Sequence, residues 1–426
     1  MYQKILGGSG YMTHHNKLFG LSPESGRWVF VITSLIMYLC LGSVYAYSIF
    51  LPEIKNSFGI TASEGNLPFM IFLAFFSILM FFSGRIMEKY GPKKIAIAGG
   101  LVVGLGWALS YFAGESKSIY VLIVTYGIIA GSGVGIVYGC PINIAGKWFP
   151  DKKGLATGLM LAGFGGSALI TGKLAGALIP SVGLSTTFLY FGIGFAIILL
   201  LLALPFKTPE AGWKPQGWTP SATAASAVDF DSNEMVKTST FWGLFLAFII
   251  GSLAGLMAIG ISKPVGSEVI KIDGETATTL VGIFAIFNAV GRPLFGWLTD
   301  KITPKGAAIL NLLIIIAVSI MMLLAKEGDV AIYVVAFCGF WLILGGWLAI
   351  APTTTASFFG LKNYARNYGI VFFAYGLGAI IGGIISGQAK DVFGSYQVAF
   401  WPTLVLGVLG LMIVMAFLKP PVKKAA

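Results

Sequence analysis

The chain has 426 residues, of which 57% are hydrophobic and only 11% are charged, and its mean hydropathy is +0.86. A soluble domain normally carries about a quarter charged residues, so this much apolar surface cannot be hidden in a single soluble core. The formal net charge of +11 raises the question of a nucleic-acid partner, which depends on where the charges lie.

Nearly uncharged apolar runs of ~18–27 residues recur along the chain, and this length crosses ~30 Å of hydrocarbon as a helix. Twelve such spans are predicted, at residues 28–50, 66–84, 95–113, 119–145, 155–179, 185–205, 240–262, 277–298, 306–325, 330–353, 367–388 and 396–418. They show no period-2 alternation and are longer than barrel strands. The predicted fold class is therefore an all-α membrane protein with twelve transmembrane helices.

The charged residues are divided unevenly between the two sides of the predicted spans. The termini and the loops after the even-numbered spans carry 20 Lys/Arg and 8 Asp/Glu, whereas the remaining loops carry 6 Lys/Arg and 9 Asp/Glu. The positive-inside rule then predicts a multi-pass protein of a prokaryotic plasma membrane with both termini in the cytoplasm. The basic balance thus reflects topology and contact with membrane lipid, and we expect no nucleic-acid partner.

A long polar loop divides the chain into two similar halves. The predicted parts are a cytoplasmic tail 1–27, a six-helix bundle 28–205, a cytoplasmic central loop 206–239, a second six-helix bundle 240–418 and a cytoplasmic tail 419–426. GRIMEKYGPKK from Gly84 matches GWLTDKITPK from Gly296, and WFPDKKG from Trp148 is echoed by FFGLKNYARNYG from Phe358. Two loop pairs at nearly the same offset indicate an internal duplication, which is typical of transporters with a substrate site between the halves.

These loops also carry a resemblance to a known family. The closer matches are GSGVGIVYG (131–139), KWFPDKKGLATG (147–158), DFDSNEM (229–235), KNYARNYG (362–369) and the stretch from Asn288 to Arg292. Together they resemble the major facilitator superfamily and, within it, the oxalate/formate antiporter and monocarboxylate (lactate) transporter families. The resemblance covers nearly the whole chain and implies two pseudo-symmetric bundles that work by alternating access.

Arg292 lies inside the eighth predicted span, and none of the twelve spans contains an acidic residue that could pair with it. A charge within a membrane is costly, and such a residue is usually paired or faces a wet cavity. The guanidinium suits a carboxylate substrate because its planar fork binds both oxygens and keeps its proton. The alternative is that Arg292 extends towards the near membrane surface.

Further substrate-binding candidates surround this arginine. Asn288 precedes it by one helical turn, and Tyr138 and Tyr375 are predicted at a similar depth. The resemblance implies that matching positions in their helices line the substrate cavity. Tyr45 and Phe372 are further candidates for its wall, with ordinary packing as the alternative.

Lys173 is the other charge well inside a span, and it is the candidate for proton coupling because a buried lysine can have a strongly lowered pKa. Its alternative role is simply to reach the membrane surface.

The repeated loops supply candidates for gating, namely Glu88, Lys89, Asp300 and Lys301. Acids at helix ends can pair in one conformation only, although simple topological charge is the alternative. The glycines of GSGVGIVYG are typical of helix packing. GSALITGK has the wrong spacing for a phosphate-binding loop, so we expect no ATP-driven motor, and no cofactor or metal.

The sequence therefore predicts a monomeric secondary transporter of a small monocarboxylate such as lactate, pyruvate or formate, coupled to protons, and not an enzyme. The alternatives are an oxalate:formate-type anion exchanger, a carboxylate sensor that does not transport, and a channel. The resemblance to the oxalate/formate exchangers implies a lysine in the eleventh helix, and this chain has Tyr375 at the matching position. The second cation that would hold a dianion is therefore missing at this position.

Overall fold

The computed structural model describes residues 17–210, 213–217 and 229–422. Parts of the predicted tails and of the central loop lie outside these residues. Ten helices in the described part are long and apolar enough to span a membrane. Two of them, Gly154–Ala203 and Gly274–Leu324, contain 50 and 51 residues, about twice the length that one crossing needs.

Each of the two long helices reverses direction once. The first contains Gly183 in a left-handed conformation, with φ 81°. Before this glycine, Gly163 packs on Leu35 and Gly172 packs on Ile49, so this part runs parallel to the first helix. After it, the contacts with the third helix run antiparallel. The second long helix reverses in the same way at Thr303, where φ is 71°.

With each long helix divided at its reversal, the described residues form twelve helical segments, which is consistent with the predicted fold class. They are α1 Pro23–Phe58, α2 Ala62–Tyr90, α3 Pro92–Ser116, α4 Ile119–Trp148, α5 153–182, α6 184–203, α7 Ser239–Val269, α8 274–301, α9 304–324, α10 Val330–Phe359, α11 Tyr364–Phe393 and α12 Tyr396–Phe417. We call the end of the bundles at which α1 begins and α12 ends the terminal face, and the opposite end the distal face.

Several helices depart from regular α-geometry or run past their predicted spans. A 3-10 segment, Gly42–Ala46, interrupts α1, and α7 ends in a π segment, Val265–Val269. Such irregular turns are frequent at functional sites. The longer helices bring the acidic residues Glu53, Glu268 and Asp391 close to the distal face, outside the spans that the sequence predicted.

At the distal face, the N-terminal end of α2 is capped by an acid from the other bundle. The Asp391 carboxylate of α11 accepts hydrogen bonds from the backbone N–H groups of Ala62 at 2.9 Å and Ser63 at 2.8 Å. One turn deeper, the Asn66 amide donates to the Ser386 hydroxyl at 3.2 Å. These contacts join the two bundles because a helix N-terminus favours a negative charge.

An ion cluster also crosses the distal face. The Glu268 carboxylate of α7 lies 2.6 Å from the Lys390 ammonium of α11 and 3.5 Å from the Lys55 ammonium of α1. Both ammonium groups lie 5.6 Å from the centre of the Tyr396 ring. The distal ends of α1, α7 and α11 are thereby held together.

The helix pair α2 and α11 packs closely through glycines. A Cβ at Gly387 would lie 2.6 Å from Ser63 Cα, and one at Gly376 would lie 2.7 Å from Ser77 Oγ. Nearer the terminal face, a Cβ would meet no neighbour within 4 Å at Gly84, Gly154 and Gly158. A Cβ at Gly369, also towards the terminal face, would lie 2.9 Å from the Phe81 ring, so α2 and α11 are close along much of their length and come into backbone contact at Ser63 in the distal half.

The WFPDKKG loop fastens the terminal face of the first bundle. The Arg27 guanidinium forms a bidentate pair with the Asp151 carboxylate at 2.6 and 2.8 Å, and it donates to the Trp148 carbonyl at 2.9 Å. It also lies 4.7 Å from the centre of the Phe149 ring. The hydrogen bonds from Arg27 hold the pKa of the Asp151 carboxyl below its usual range.

The second bundle has a corresponding fastening made of different residues. The Phe230 carbonyl accepts hydrogen bonds from the side-chain amides of Asn363 and Asn367, and the Asp229 carboxylate accepts one from the Lys362 N–H. In each bundle, residues at or just before the start of the first helix thus contact the region between the fourth and fifth helices. The repeated loop pair therefore marks a repeated structural position.

Asp151→Asn is expected to lower the stability of the protein in detergent by about 1–3 kcal/mol, because Arg27 loses a charge-assisted bidentate partner. The contribution of Asp151 is present above the pKa of an unfolded aspartate, about 3.9, and is lost as the pH falls through its lower folded pKa. Thermal unfolding should show a lower Tm for Asp151→Asn at pH 7, with the gap closing below about pH 4. Asp300→Asn, at an exposed position, is the matched control.

Candidate substrate site

Arg292 of α8 is buried at the boundary between the two bundles, with only 3% of its surface exposed. Its Nη2 approaches the Asn288 side-chain oxygen at 3.5 Å, and Asn288 is itself held by donating to the Trp341 carbonyl at 3.0 Å. Within the described part of the chain, Nε and Nη1 of Arg292 have no hydrogen-bond partner. A buried charge with open donors is costly and calls for a counter-ion.

The first bundle covers the other side of this guanidinium. The Arg292 Cζ atom lies 5.5 Å from the centre of the Phe164 ring on α5, a distance at which a cation and a ring attract each other. The rings of Tyr45 on α1 and Tyr138 on α4 pack against the same Phe164 ring, with ring centres 5.2 and 5.4 Å from its centre. The cation therefore belongs to one bundle and faces the other.

Aromatic rings close the remaining walls. Phe372 and Tyr375 of α11 stack with ring centres 5.0 Å apart, and Phe372 lies 6.1 Å from Tyr138. Phe76 of α2 contacts Tyr375 at 5.7 Å. A small organic anion would find one charged fork, a few hydroxyls and apolar walls, which is the usual make-up of a small-ligand site.

The Tyr45 and Tyr375 hydroxyls are hydrogen-bonded to each other at 2.8 Å, across the boundary between the bundles. Tyr45 lies in the 3-10 segment of α1. Close approach of α1 to α5 depends on Gly42, where a Cβ would collide with the Phe164 carbonyl oxygen. The local geometry of α1 thus directs Tyr45 towards Tyr375.

The structure brings together all six residues that the sequence predicted as substrate-binding. They are Arg292, Asn288, Tyr138, Tyr375, Phe372 and Tyr45. Their role in binding a substrate stays a prediction.

Four residues of the cluster were missed by the sequence analysis, namely Phe164, Trp341, Tyr38 and Phe76. The chain has 33 phenylalanines and 16 tyrosines, so an aromatic residue in a span carries little information by itself. The glycines on either side of Phe164 could have indicated a helix contact at this residue, because Gly163 and Gly165 each touch another helix.

Lys173 lies away from this cluster. It is exposed on α5, beside Ile170 and Leu174, which are 47% and 49% exposed. In the described residues, no hydrogen bond or ion pair joins it to the cluster. Its role in proton coupling stays a prediction.

Three of the four residues predicted to gate the terminal face have described side chains, and these three form no ion pair in this conformation. Lys89, Asp300 and Lys301 are exposed, and none of the ion pairs in the described part of the chain involves them. The Glu88 side chain lies outside the described structure. Polar contacts between the bundles lie instead at the distal face and at the Tyr45–Tyr375 pair.

Comparison with known proteins agrees with the geometry. Residues 31–358 match the model of the Major Facilitator Superfamily. The chain is 30% identical to the oxalate:formate antiporter of Oxalobacter formigenes, over 93% of this chain and 94% of that protein. It is 24% identical to monocarboxylate transporter 9 of Rattus norvegicus, over 94% of each chain.

A solved structure shares the fold. A bacterial homologue of the human lysosomal transporter Spinster, in an inward-facing and unoccupied conformation, superposes with a TM-score of 0.71 at 18% identity. The match covers 95% of this chain and 99% of that one.

The twelve helical segments, the internal repeat and the buried cluster between two bundles define a multi-span membrane transporter. The chain belongs to the Major Facilitator Superfamily. It is a transporter and not an enzyme, as the sequence predicted.

Proposed function

We propose that this protein carries small monocarboxylates across a prokaryotic plasma membrane by alternating access, with Arg292 binding the carboxylate and both termini in the cytoplasm. The observation that carries this proposal is the buried guanidinium with two open donors inside an aromatic cage between the bundles. A carboxylate would supply the missing charge and accept from both nitrogens. Rocking of two bundles around such a site is the common mechanism of transporters with repeated halves.

The names of two relatives support a carboxylate as the substrate class. One is an oxalate:formate antiporter, and another is the apicoplast pyruvate carrier 1 of Toxoplasma gondii, 26% identical over 68% of this chain. The first relative also favours a second candidate, namely exchange of oxalate. Oxalate carries two charges, and in the described residues no lysine or second arginine contacts the cluster. This supports a monoanion as the preferred substrate.

Uptake into proteoliposomes tests the proposal. Labelled lactate, pyruvate, formate and oxalate are compared with and without a pH gradient. We expect lactate or pyruvate to outcompete oxalate by at least ~10-fold, which corresponds to about 1.4 kcal/mol of unmatched charge. Equal displacement of the label by oxalate would instead support the exchanger, and binding without uptake would support a sensor.

Proton coupling is tested in the same assay with Lys173→Gln. On the proposal that Lys173 carries the coupling proton, the substitution removes accumulation driven by the pH gradient and leaves exchange of substrate for substrate. Unchanged accumulation would indicate that the proton crosses with the substrate as the neutral acid. Lys326→Gln, at an exposed position between α9 and α10, controls for the loss of a positive charge.

A further inference from the structure

Lys55 lies near the distal end of α1, and its polar contacts cross to the second bundle. Its ammonium lies 3.5 Å from the Glu268 carboxylate of α7 and donates to the Tyr396 hydroxyl of α12 at 3.4 Å. The centre of the Tyr396 ring is 5.6 Å away. Within the described residues, the ammonium of Lys55 forms no ion pair or hydrogen bond with its own bundle.

The acid that Lys55 contacts is held more closely by another lysine. The Glu268 carboxylate lies 2.6 Å from the Lys390 ammonium of α11, and these two residues belong to the same bundle. Glu53, two positions before Lys55 on α1, accepts a hydrogen bond from the Ser57 hydroxyl at 2.6 Å and forms no ion pair with Lys55 in the described structure. When the bundles separate at the distal face, Glu268 therefore keeps Lys390 and Lys55 loses its anionic partner.

We propose that Lys55 captures the substrate at the distal entrance, the opening that forms between the bundles at the distal face, before the substrate reaches Arg292. This inference rests on the proposed function, because it takes the substrate to be a small monocarboxylate and the mechanism to be alternating access. The same carboxylate is held first by a single ammonium at the entrance and then by the guanidinium.

The position of Lys55 suits an entrance and not a second deep site. Its side chain is 18% exposed even in the present conformation, in which the distal face is closed. Ten positions separate it from Tyr45 of the cage, which is about 15 Å along α1. An ammonium that water reaches binds a carboxylate weakly and releases it readily. Such a charge acts mainly on the rate of arrival and leaves the affinity to the buried arginine.

The surrounding charges make one cation at the entrance important. The predicted loops of the distal face carry 6 Lys/Arg and 9 Asp/Glu, so this face as a whole repels an anion. At physiological ionic strength, charges are screened beyond ~8 Å. An anion that has come close to the entrance therefore responds mainly to the charges there, and Lys55 is the one that separation of the bundles leaves unpaired.

Capture and closure should alternate at this residue. As the distal face closes, Glu268 returns to Lys55 and competes with any carboxylate bound there. An anion that stays on Lys55 opposes closure, whereas one that has moved on to Arg292 does not. The exchange of partners therefore favours closure after the substrate has reached the cage.

Uptake of labelled lactate by the purified full-length protein in proteoliposomes tests the inference, with kcat/KM taken from initial rates. At an ionic strength of ~0.01 M, we expect Lys55→Gln to lower kcat/KM ~3- to 10-fold, because the anion is captured more slowly. Raising the ionic strength to ~1 M, where the Debye length falls from ~30 to ~3 Å, should largely remove the difference from the natural protein. Lys55→Arg keeps the positive charge and should keep the rate.

Glu268→Gln separates capture from a purely structural role of the same ion pair. It breaks the contact between Lys55 and Glu268 as Lys55→Gln does, but it keeps the ammonium and removes the competing acid. Capture by Lys55 therefore predicts that Glu268→Gln does not lower kcat/KM at low ionic strength. Lys117→Gln, at an exposed position of the distal face away from the entrance, controls for a general loss of charge and should match the natural protein.

The failures of the inference and of the proposed function are distinguishable. An unchanged kcat/KM in Lys55→Gln at low ionic strength would overturn the inference alone. So would an equal loss in Glu268→Gln, which would assign the effect to the ion pair, or in Lys117→Gln, which would assign it to the net charge of the face. If the natural protein took up no monocarboxylate, the proposed function would fall and the inference with it.

Discussion

Arg292→Lys is expected to lower transport efficiency roughly 30- to 150-fold while leaving the protein folded, because an ammonium cannot reproduce two parallel hydrogen bonds to a carboxylate. The loss corresponds to about 2–3 kcal/mol of charge-assisted hydrogen bonding. The neighbouring groups add to the effect. The planar guanidinium contacts the Asn288 side-chain oxygen through Nη2 and lies over the Phe164 ring. A lysine ammonium is not planar, so it cannot stack on this ring and bind the Asn288 oxygen in the same way.

Initial uptake rates over a range of substrate concentrations measure this effect. Arg366→Lys is the matched control, because Arg366 is exposed near the start of α11 and should tolerate the change. Binding should weaken at Arg292 alone, and size-exclusion chromatography should show both variants intact. Normal affinity and turnover in Arg292→Lys would show that the substrate charge is matched elsewhere.

Arg292 could be identified from the sequence because a charged side chain inside a membrane span has a high energetic cost. A charge in an apolar span, without any acid in the other spans, requires an explanation wherever the helices pack. The residues that complete the cage carry no such signal. Phe164 and Trp341 are ordinary apolar residues until the packing of α5 and α10 places them beside the cation and Tyr45.

The internal repeat predicted the two bundles because it can be recognised in the sequence without knowing how the helices pack. Helix length and loop pairs are local properties, so the twelve helical segments followed from them. At the reversals, only Gly183 in the first long helix, and Ile302 and Thr303 in the second, have non-helical backbone angles. Contacts between bundles are not local. The distal cluster of Lys55, Glu268 and Lys390 joins residues that lie more than a hundred positions apart, and no sequence motif predicted it.

Closure of the distal face should depend more on close packing than on these charges. The side chains of Lys55, Glu268 and Lys390 are 18%, 33% and 30% exposed. Ion pairs at such exposed positions contribute about 0–1 kcal/mol because water and salt screen them. Glu268→Gln should therefore change transport only slightly.

Gly387→Leu is expected to have a much larger effect. A Cβ at Gly387 would lie 2.6 Å from the Ser63 Cα, and a backbone atom cannot move aside by changing rotamer. Overpacking of this kind costs about 1–3 kcal/mol. The strain is relieved when α2 and α11 separate at the distal face, so the equilibrium should shift roughly 5- to 150-fold towards the distal-open state.

Two measurements report this shift. Turnover should fall, because on the proposed mechanism the distal face must close in every cycle. An engineered Asn66→Cys, in a background without Cys40, Cys140 and Cys338, should react faster with a membrane-impermeant thiol reagent added at the distal side. Asn66 is 1% exposed in the present conformation, so its labelling reports separation of the bundles.

Gly194→Leu supplies the matched control, since a Cβ at this glycine of α6 meets no neighbour within 4 Å. It adds the same side chain at a site where nothing has to move, and both turnover and labelling should stay at the parent level. If Gly387→Leu also kept the parent turnover and labelling rate, the close contact between α2 and α11 would not be what closes the distal face. The closure would then have to rest on the polar contacts of Asp391 and Glu268, and the double substitution Asp391→Asn, Glu268→Gln should open it instead.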